Sequence, residues 1–245
     1  MSPPLALGAA VHNVIDSQYR LPTKERFMKS LVDDFEVEWK KFEGKKGGFF
    51  DFDSERKYQE RARKMLRNIE KNPGPLADLA VRISMDLPYY FVSPEDNLIL
   101  CGKVDWMQYL PESDSLHVID FKTSKSEEDP ESLQLPIYYL LVSNTQKRPV
   151  TRASYWYLEF SESLTPKDLP DPEESKRRII DIGKQIKTAK ALDRFKCPTD
   201  GCRYCKDLES ILNGEAEYIG EGEYGVDIYV LPPKVEQVQE DSVIL

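Results

Sequence analysis

The sequence predicts an α/β chain: a mixed central β-sheet flanked by helices, with a helical region at its N-terminus. Three observations carry that expectation. Apolar residues recur at helical spacing through the first part of the chain. A series of short apolar segments punctuated by turn residues follows, and helix, strand and long helix then alternate. At 245 residues the chain is long enough to bury a sizeable core. We expect one domain over 1–245, with a helical region to about 75, a core over about 76–195, and a cysteine cluster with a terminal hairpin over about 196–245.

Each element has a local cause. Residues 4–19 place Leu5, Leu7, Val11, Val14, Ile15 and Tyr19 at spacings that suit a helix. "TKERFMKSLVDDFEVEWKKF" reads as an amphipathic helix capped by Thr23, with Phe27, Leu31, Phe35 and Trp39 on one stripe. The glycine-rich break "GKKGGFFDFD" precedes the basic helix "SERKYQERARKMLRNIEKN", which "NPGP" closes. Residues 87–124 read as strand, turn, strand, turn, strand, with turns at "SPEDN" and "PESDS". A helix over 129–144 opens with Pro130 near its first turn. "RASYWYLEF" is a further strand and "PEESKRRIIDIGKQIKTAKAL" a long helix. "AEYIGEGEYGVDIYVLP" reads as a hairpin joined at Gly222.

Composition narrows the class. No apolar run approaches membrane-span length, and "MSPPLALGAAVHNVID" lacks the basic start of a signal peptide, so a soluble cytoplasmic protein without membrane contact is expected. A net charge of −9 argues against a protein that coats nucleic acid through general basicity. It leaves room for an enzyme that grips a short stretch of backbone through a local patch.

The densest chemistry lies in "LHVIDFKTSK". Side chains on a strand alternate between faces, so Asp120 and Lys122 project to the same side of an otherwise apolar segment. Two charges there cost desolvation unless something compensates. Asp105 closes the apolar run "LILCGKV", and a hairpin would bring that strand beside residues 116–122. Two carboxylates and a lysine so placed make a compact oxygen-donor site of the kind Mg²⁺ takes, with waters and substrate phosphate completing its shell. The ion would lower the pKa of an attacking water, which the lysine would hold or deprotonate. Taken singly the Asp-x-Lys pair is weak, because such residues at strand ends are usually solvated.

The motifs together say more. "GKVD", a turn and then "VIDFK" resemble the core of the PD-(D/E)xK nucleases. "QLPIY", with Gln134 and Tyr138 one helical turn apart, resembles the Gln-x-x-x-Tyr motif of the RecB-type exonuclease branch, which includes CRISPR-associated and AddB-like domains. "LGAAVH" resembles that branch's first motif, a helix whose histidine completes a metal site. The resemblance spans residues 7–138 and implies a restriction-endonuclease-like core. It implies that His12, Asp105, Asp120 and the backbone carbonyl of Phe121 bind Mg²⁺ or Mn²⁺. Lys122 would be the catalytic lysine, and Gln134 and Tyr138 would position it or the DNA. Read singly, His12 is a helix-surface or capping residue, and Gln134 and Tyr138 are one helix face with Pro136 at a kink or an early turn. The implied activity is hydrolysis of DNA phosphodiester bonds, at ends or in single strands, in repair, recombination or CRISPR-type processing. A helicase or CRISPR-type protein would be its partner.

The cysteines fit this branch incompletely. Cys197, Cys202 and Cys205 form Cys-x4-Cys-x2-Cys, whereas the branch commonly has Cys-x2-Cys-x5-Cys and a further Cys before the histidine; Ile211 stands where the last would fall. Either an upstream segment is missing or an iron–sulfur site has decayed, and the spacing also suits Zn²⁺. Cys101 reads as a buried apolar residue of a central strand. Cations on the two basic helices read mostly as solvated faces, and Lys125 as a candidate phosphate contact. Two other readings stand beside the nuclease: a catalytically inactive nuclease-like DNA-binding or scaffolding subunit, and an iron–sulfur or zinc accessory protein.

Overall fold

The computed structural model describes residues 1–245 except 84, 86, 196, 198–202, 223–224 and 233–245, and excepting the side chains of 203 and 204. Three helices open the chain: α1 (Pro3–Tyr19), α2 (Leu31–Trp39) and α3 (Phe52–Lys71). The α1 stripe Leu7, Val11, Val14 and Ile15 is buried, as is Leu31–Phe35–Trp39 on α2.

The second helix starts at Leu31, not at Thr23. Thr23–Glu25 forms one 3-10 turn, and Phe27 adopts a left-handed φ of 60°. Arg26 turns inward and donates to the carbonyls of Leu76 and Asp78 at 3.0 and 2.6 Å, which holds the chain off the helical path. Ser30 is the cap, its Oγ accepting from the Val32 amide at 3.2 Å. Glu70 of α3 completes it, Oε1 accepting from the Leu31 amide at 2.5 Å and from Ser30 Oγ at 2.9 Å.

The expected three-strand meander is four strands in two sheets. β1 (Tyr89–Ser93) and β2 (Leu98–Cys101) form an antiparallel hairpin of their own. The chain leaves strand geometry at Gly102–Asp105 and re-enters it as β3 (Trp106–Leu110), antiparallel to β4 (Ser115–Lys122). Apolar residues on both sides of Gly102 and Lys103 conceal this break, because hydrophobicity marks burial and not which sheet does the burying. Helix α4 (Gln134–Thr145) starts later than Pro130 suggests and carries the chain to β5 (Val150–Tyr157), parallel to β4. Pro136 sits in the first turn of α4, where no amide partner is needed. A short strand with no clear sequence signal, β6 (Thr165–Lys167), adds antiparallel to β5. The central sheet is therefore mixed, in order β3-β4-β5-β6.

Both faces of this sheet are covered. Trp106, Ile119, Phe121 and Trp156 join the core of α1–α3 on one side. Met107, Leu116 and Val118 pack on the other with Tyr138 and Val142 of α4. Being central, β4 is buried along nearly its whole length. Leu79–Val81 runs along β3 and hydrogen-bonds to Met107 and Tyr109, closing that edge. The long helix α5 (Pro172–Ala191) lies with α4 against the β1–β2 hairpin through Ile179 and Ile180. Then come α6 (Arg203–Leu212), which the sequence did not announce, and the hairpin β7 (Glu217–Glu221) and β8 (Asp227–Val230). A mixed sheet between helical layers in this order is consistent with a restriction-endonuclease-like fold. Among the described residues no helix is long and apolar enough to cross a membrane.

Candidate active site

β4 sets the centre of the site. Its alternation turns Ile119 and Phe121 toward α1–α3, while Asp120 and Lys122 lie on the α4 side. Asp105, at the threshold of β3, is held beside them: its Oδ2 accepts from the Phe121 amide at 3.0 Å. From the helical layer His12 arrives with Nδ1 3.5 Å from the same Asp105 oxygen. Gly8, one turn before His12, lets α1 come this close; a Cβ there would stand 3.3 Å from Thr123 Oγ1, at the end of β4.

The polar contacts form one network. Gln134, the first residue of α4, gives its amide N–H groups to Asp120 Oδ1 at 2.9 Å and to Tyr138 Oη at 3.2 Å. Its amide oxygen accepts from the Lys122 ammonium. An amide suits this position because its nitrogen donates two hydrogen bonds while its oxygen accepts a third. Lys122 Nζ also lies 2.9 Å from Asp120 Oδ2 and 3.1 Å from Glu128 Oε2, with the Tyr155 ring face 5.2 Å away.

These positions drive the two carboxyls apart in pKa and raise both bases. Burial and, next, the adjacent Asp105 carboxylate push Asp120 up to about 7, against the pull of Lys122. Burial works the same way on Asp105, but His12 and the Phe121 amide outweigh it and hold that carboxyl below its usual range. Burial opposes charge on His12; Asp105 and Asp120 overcome it and raise the imidazole. Burial likewise opposes charge on Lys122, and Asp120 with Glu128 raises it. Lys122 is thus an ammonium at neutral pH and is not poised to take a proton.

The donor set suits a hard divalent ion. Asp120 Oδ2 is fully buried and takes part in no hydrogen bond despite its nearness to Lys122, leaving a carboxylate lone pair unused. Two adjoining buried carboxylates repel each other until a cation lies between them. Among the described residues no group of three or more His, Cys, Asp or Glu side chains is placed to hold a metal ion. Mg²⁺ does not ask for one, since one or two carboxylates, waters and phosphate suffice.

The other candidates fall elsewhere. Lys125 is exposed on the loop after β4. Cys101 is exposed at the end of β2, in the outer hairpin and not in a central strand, so the expected burial is corrected. Cys197 and Cys205 are half-buried, and Cys202 lies outside the described residues. Two arginines of α3 are tied to acids, Arg61 to Glu159 at 3.1 Å and Arg63 to Glu36 at 2.7 Å. Glu128 is the residue that sequence reasoning missed. It stands in the acidic run "SEEDPE", which reads as a solvated loop with no periodicity to single it out.

A search of curated proteins and a search of solved structures each return no match. The family model described as the PD-(D/E)XK nuclease superfamily matches residues 1–207, a span that includes α1, the central sheet and every residue of the network above. The chain belongs to the PD-(D/E)XK nuclease superfamily.

Proposed function

We propose that this chain is a metal-dependent deoxyribonuclease of the RecB-type exonuclease branch, acting on DNA ends or single strands. Its setting would be repair, recombination or CRISPR-type DNA processing. The observation that carries the reading is the meeting of Asp105, Asp120, His12, Lys122 and the Gln134–Tyr138 pair at one point, from segments far apart in sequence. Nucleases of this superfamily generally use Mg²⁺ or Mn²⁺. Asp105, Asp120, His12 and the Phe121 carbonyl would hold the ion, which when bound supplies Lewis acidity to the scissile phosphate and to water.

The side chains do the rest. Water adds to phosphorus and gives up a proton to solvent. The ester P–O bond breaks with its electron pair leaving on oxygen, and that oxygen takes a proton from solvent, giving a phosphate monoester and a hydroxyl. Lys122, an ammonium fixed by Gln134, orients the water and opposes the negative charge that accumulates on the phosphoryl oxygens. Tyr138 and Asp120 lock the amide of Gln134, so the lysine meets the substrate already in place. Lys125, exposed just past the strand, would contact a neighbouring phosphate.

Asp120→Ala and Lys122→Ala are expected to abolish Mg²⁺- or Mn²⁺-dependent degradation of labelled DNA, by at least roughly a hundredfold, with circular dichroism unchanged. Undiminished degradation would remove the assignment. DNA binding without hydrolysis by the unaltered protein would point to a non-catalytic nuclease-like subunit instead.

A further inference from the structure

We infer that Glu128 is a positioning residue for the lysine of the nuclease site, the third acceptor that fixes the Lys122 ammonium; the inference rests on the function proposed above. An ammonium carries three protons and sits at the end of a flexible four-carbon stem, so its place is defined only when three acceptors surround it. Asp120 at 2.9 Å and Gln134 supply two, from β4 and α4. Glu128, at 3.1 Å, supplies the third from the loop between those elements. Both carboxylates are charge partners of the ammonium, and Gln134 is its hydrogen-bond acceptor.

The loop is built to present it. The Glu128 amide donates to Tyr157 Oη at 3.2 Å, on the last residue of β5. Ser132, farther along the loop, gives its Oγ as acceptor to the Gln134 amide at 3.3 Å, which ties the loop to the start of α4. Just before it, Arg178 of α5 donates to the Glu131 carbonyl at 2.9 Å. The backbone that carries Glu128 is thus held from β5 and, three residues on, from α5. The Glu128 side chain is 27 % exposed against 12 % for Lys122, so it is the more solvent-facing member of the pair.

The test uses the whole chain with Glu128→Ala and Glu128→Gln, each checked for folding by thermal unfolding. On labelled DNA with Mg²⁺, Glu128→Ala is expected to lower kcat roughly tenfold with KM and the half-saturating Mg²⁺ concentration within about twofold. Glu128→Gln, whose amide oxygen still accepts, should restore about half of the rate or more. In metal-free protein, the Lys122 ¹⁵Nζ–H signal should be observable by NMR in the parent and in Glu128→Gln, and lost to solvent exchange in Glu128→Ala. A Glu128→Ala protein with unaltered kcat, or with its loss confined to KM or to the Mg²⁺ requirement, overturns the inference. So does an unchanged Lys122 signal. If the parent protein hydrolyses no DNA, the proposed function fails by itself, and the NMR comparison alone decides whether Glu128 places the lysine.

Discussion

His117 and His12 are the two histidines of the chain, and the fold drives them apart in pKa. Gln108 Nε2 donates to Asp78, which turns its amide oxygen toward His117 Nδ1 at 2.9 Å; Nδ1 therefore carries the proton and Nε2 accepts from Ser154 Oγ at 2.9 Å. Burial and, after it, Arg152 lower His117 from 6.5 to about 4. The unfolded chain thus binds this proton first, so the stabilisation is complete above about pH 6.5 and is lost as pH falls toward 4. The full effect is about 3 kcal/mol. NMR titration should find His117 protonating near 4 and His12, in chelated protein, above 6.5. Urea midpoints should fall between pH 7 and 4.5, less so in His117→Gln. A His117 that titrates at 6.5 or higher would refute the neutral-tautomer network. At this scale the sequence was most legible where period alone decides: strand alternation puts Asp120 and Lys122 on one face in any sheet. Glu128 was illegible, since only the path of the loop turns it toward Lys122.

Element boundaries show the same division. α3 starts at Phe52, two residues before the Ser54 that the sequence suggests, because its cap, Asp51, which accepts from the Ser54 amide at 2.7 Å, falls within the glycine-rich break. The start of α2 was misplaced because half of its cap comes from Glu70, 39 residues from the Leu31 amide that it accepts from. Glu70→Ala should cost about 1–2 kcal/mol through the uncapped turn, and Glu70→Gln less, as read by denaturant midpoints; equal losses would show that charge and not acceptance matters. The break between β2 and β3 was equally hidden. Nothing in "LILCGKVD" says that its two ends join different sheets.

Over the whole molecule, the candidate site joins two layers. His12 belongs to the helical layer, and Asp105 and Asp120 to the sheet, with Trp106, Ile119, Phe121 and Trp156 packed among residues of α1–α3. An ion shared by these donors would tie the layers together and relieve the paired carboxylates. Saturating Mg²⁺ or Mn²⁺ should therefore raise the thermal unfolding midpoint, by an amount equivalent to roughly 3 kcal/mol at a hundred times the dissociation constant. Asp120→Asn should remove the shift while unfolding in chelator no earlier than the parent, because it removes a like charge beside Asp105. A shift of the same size in Asp120→Asn would place the cation elsewhere.

By itself the sequence determined the alternation of helix and strand, the faces they bury and the residue types the chemistry needs. These depend on neighbours a few positions away, and period and capping report them directly. Only the tertiary structure decided which strands share a sheet, where α2 and α4 begin, and that Glu128 stands beside Lys122. Those depend on contacts between distant segments, where the energy of packing and of satisfying buried polar groups overrides local preference.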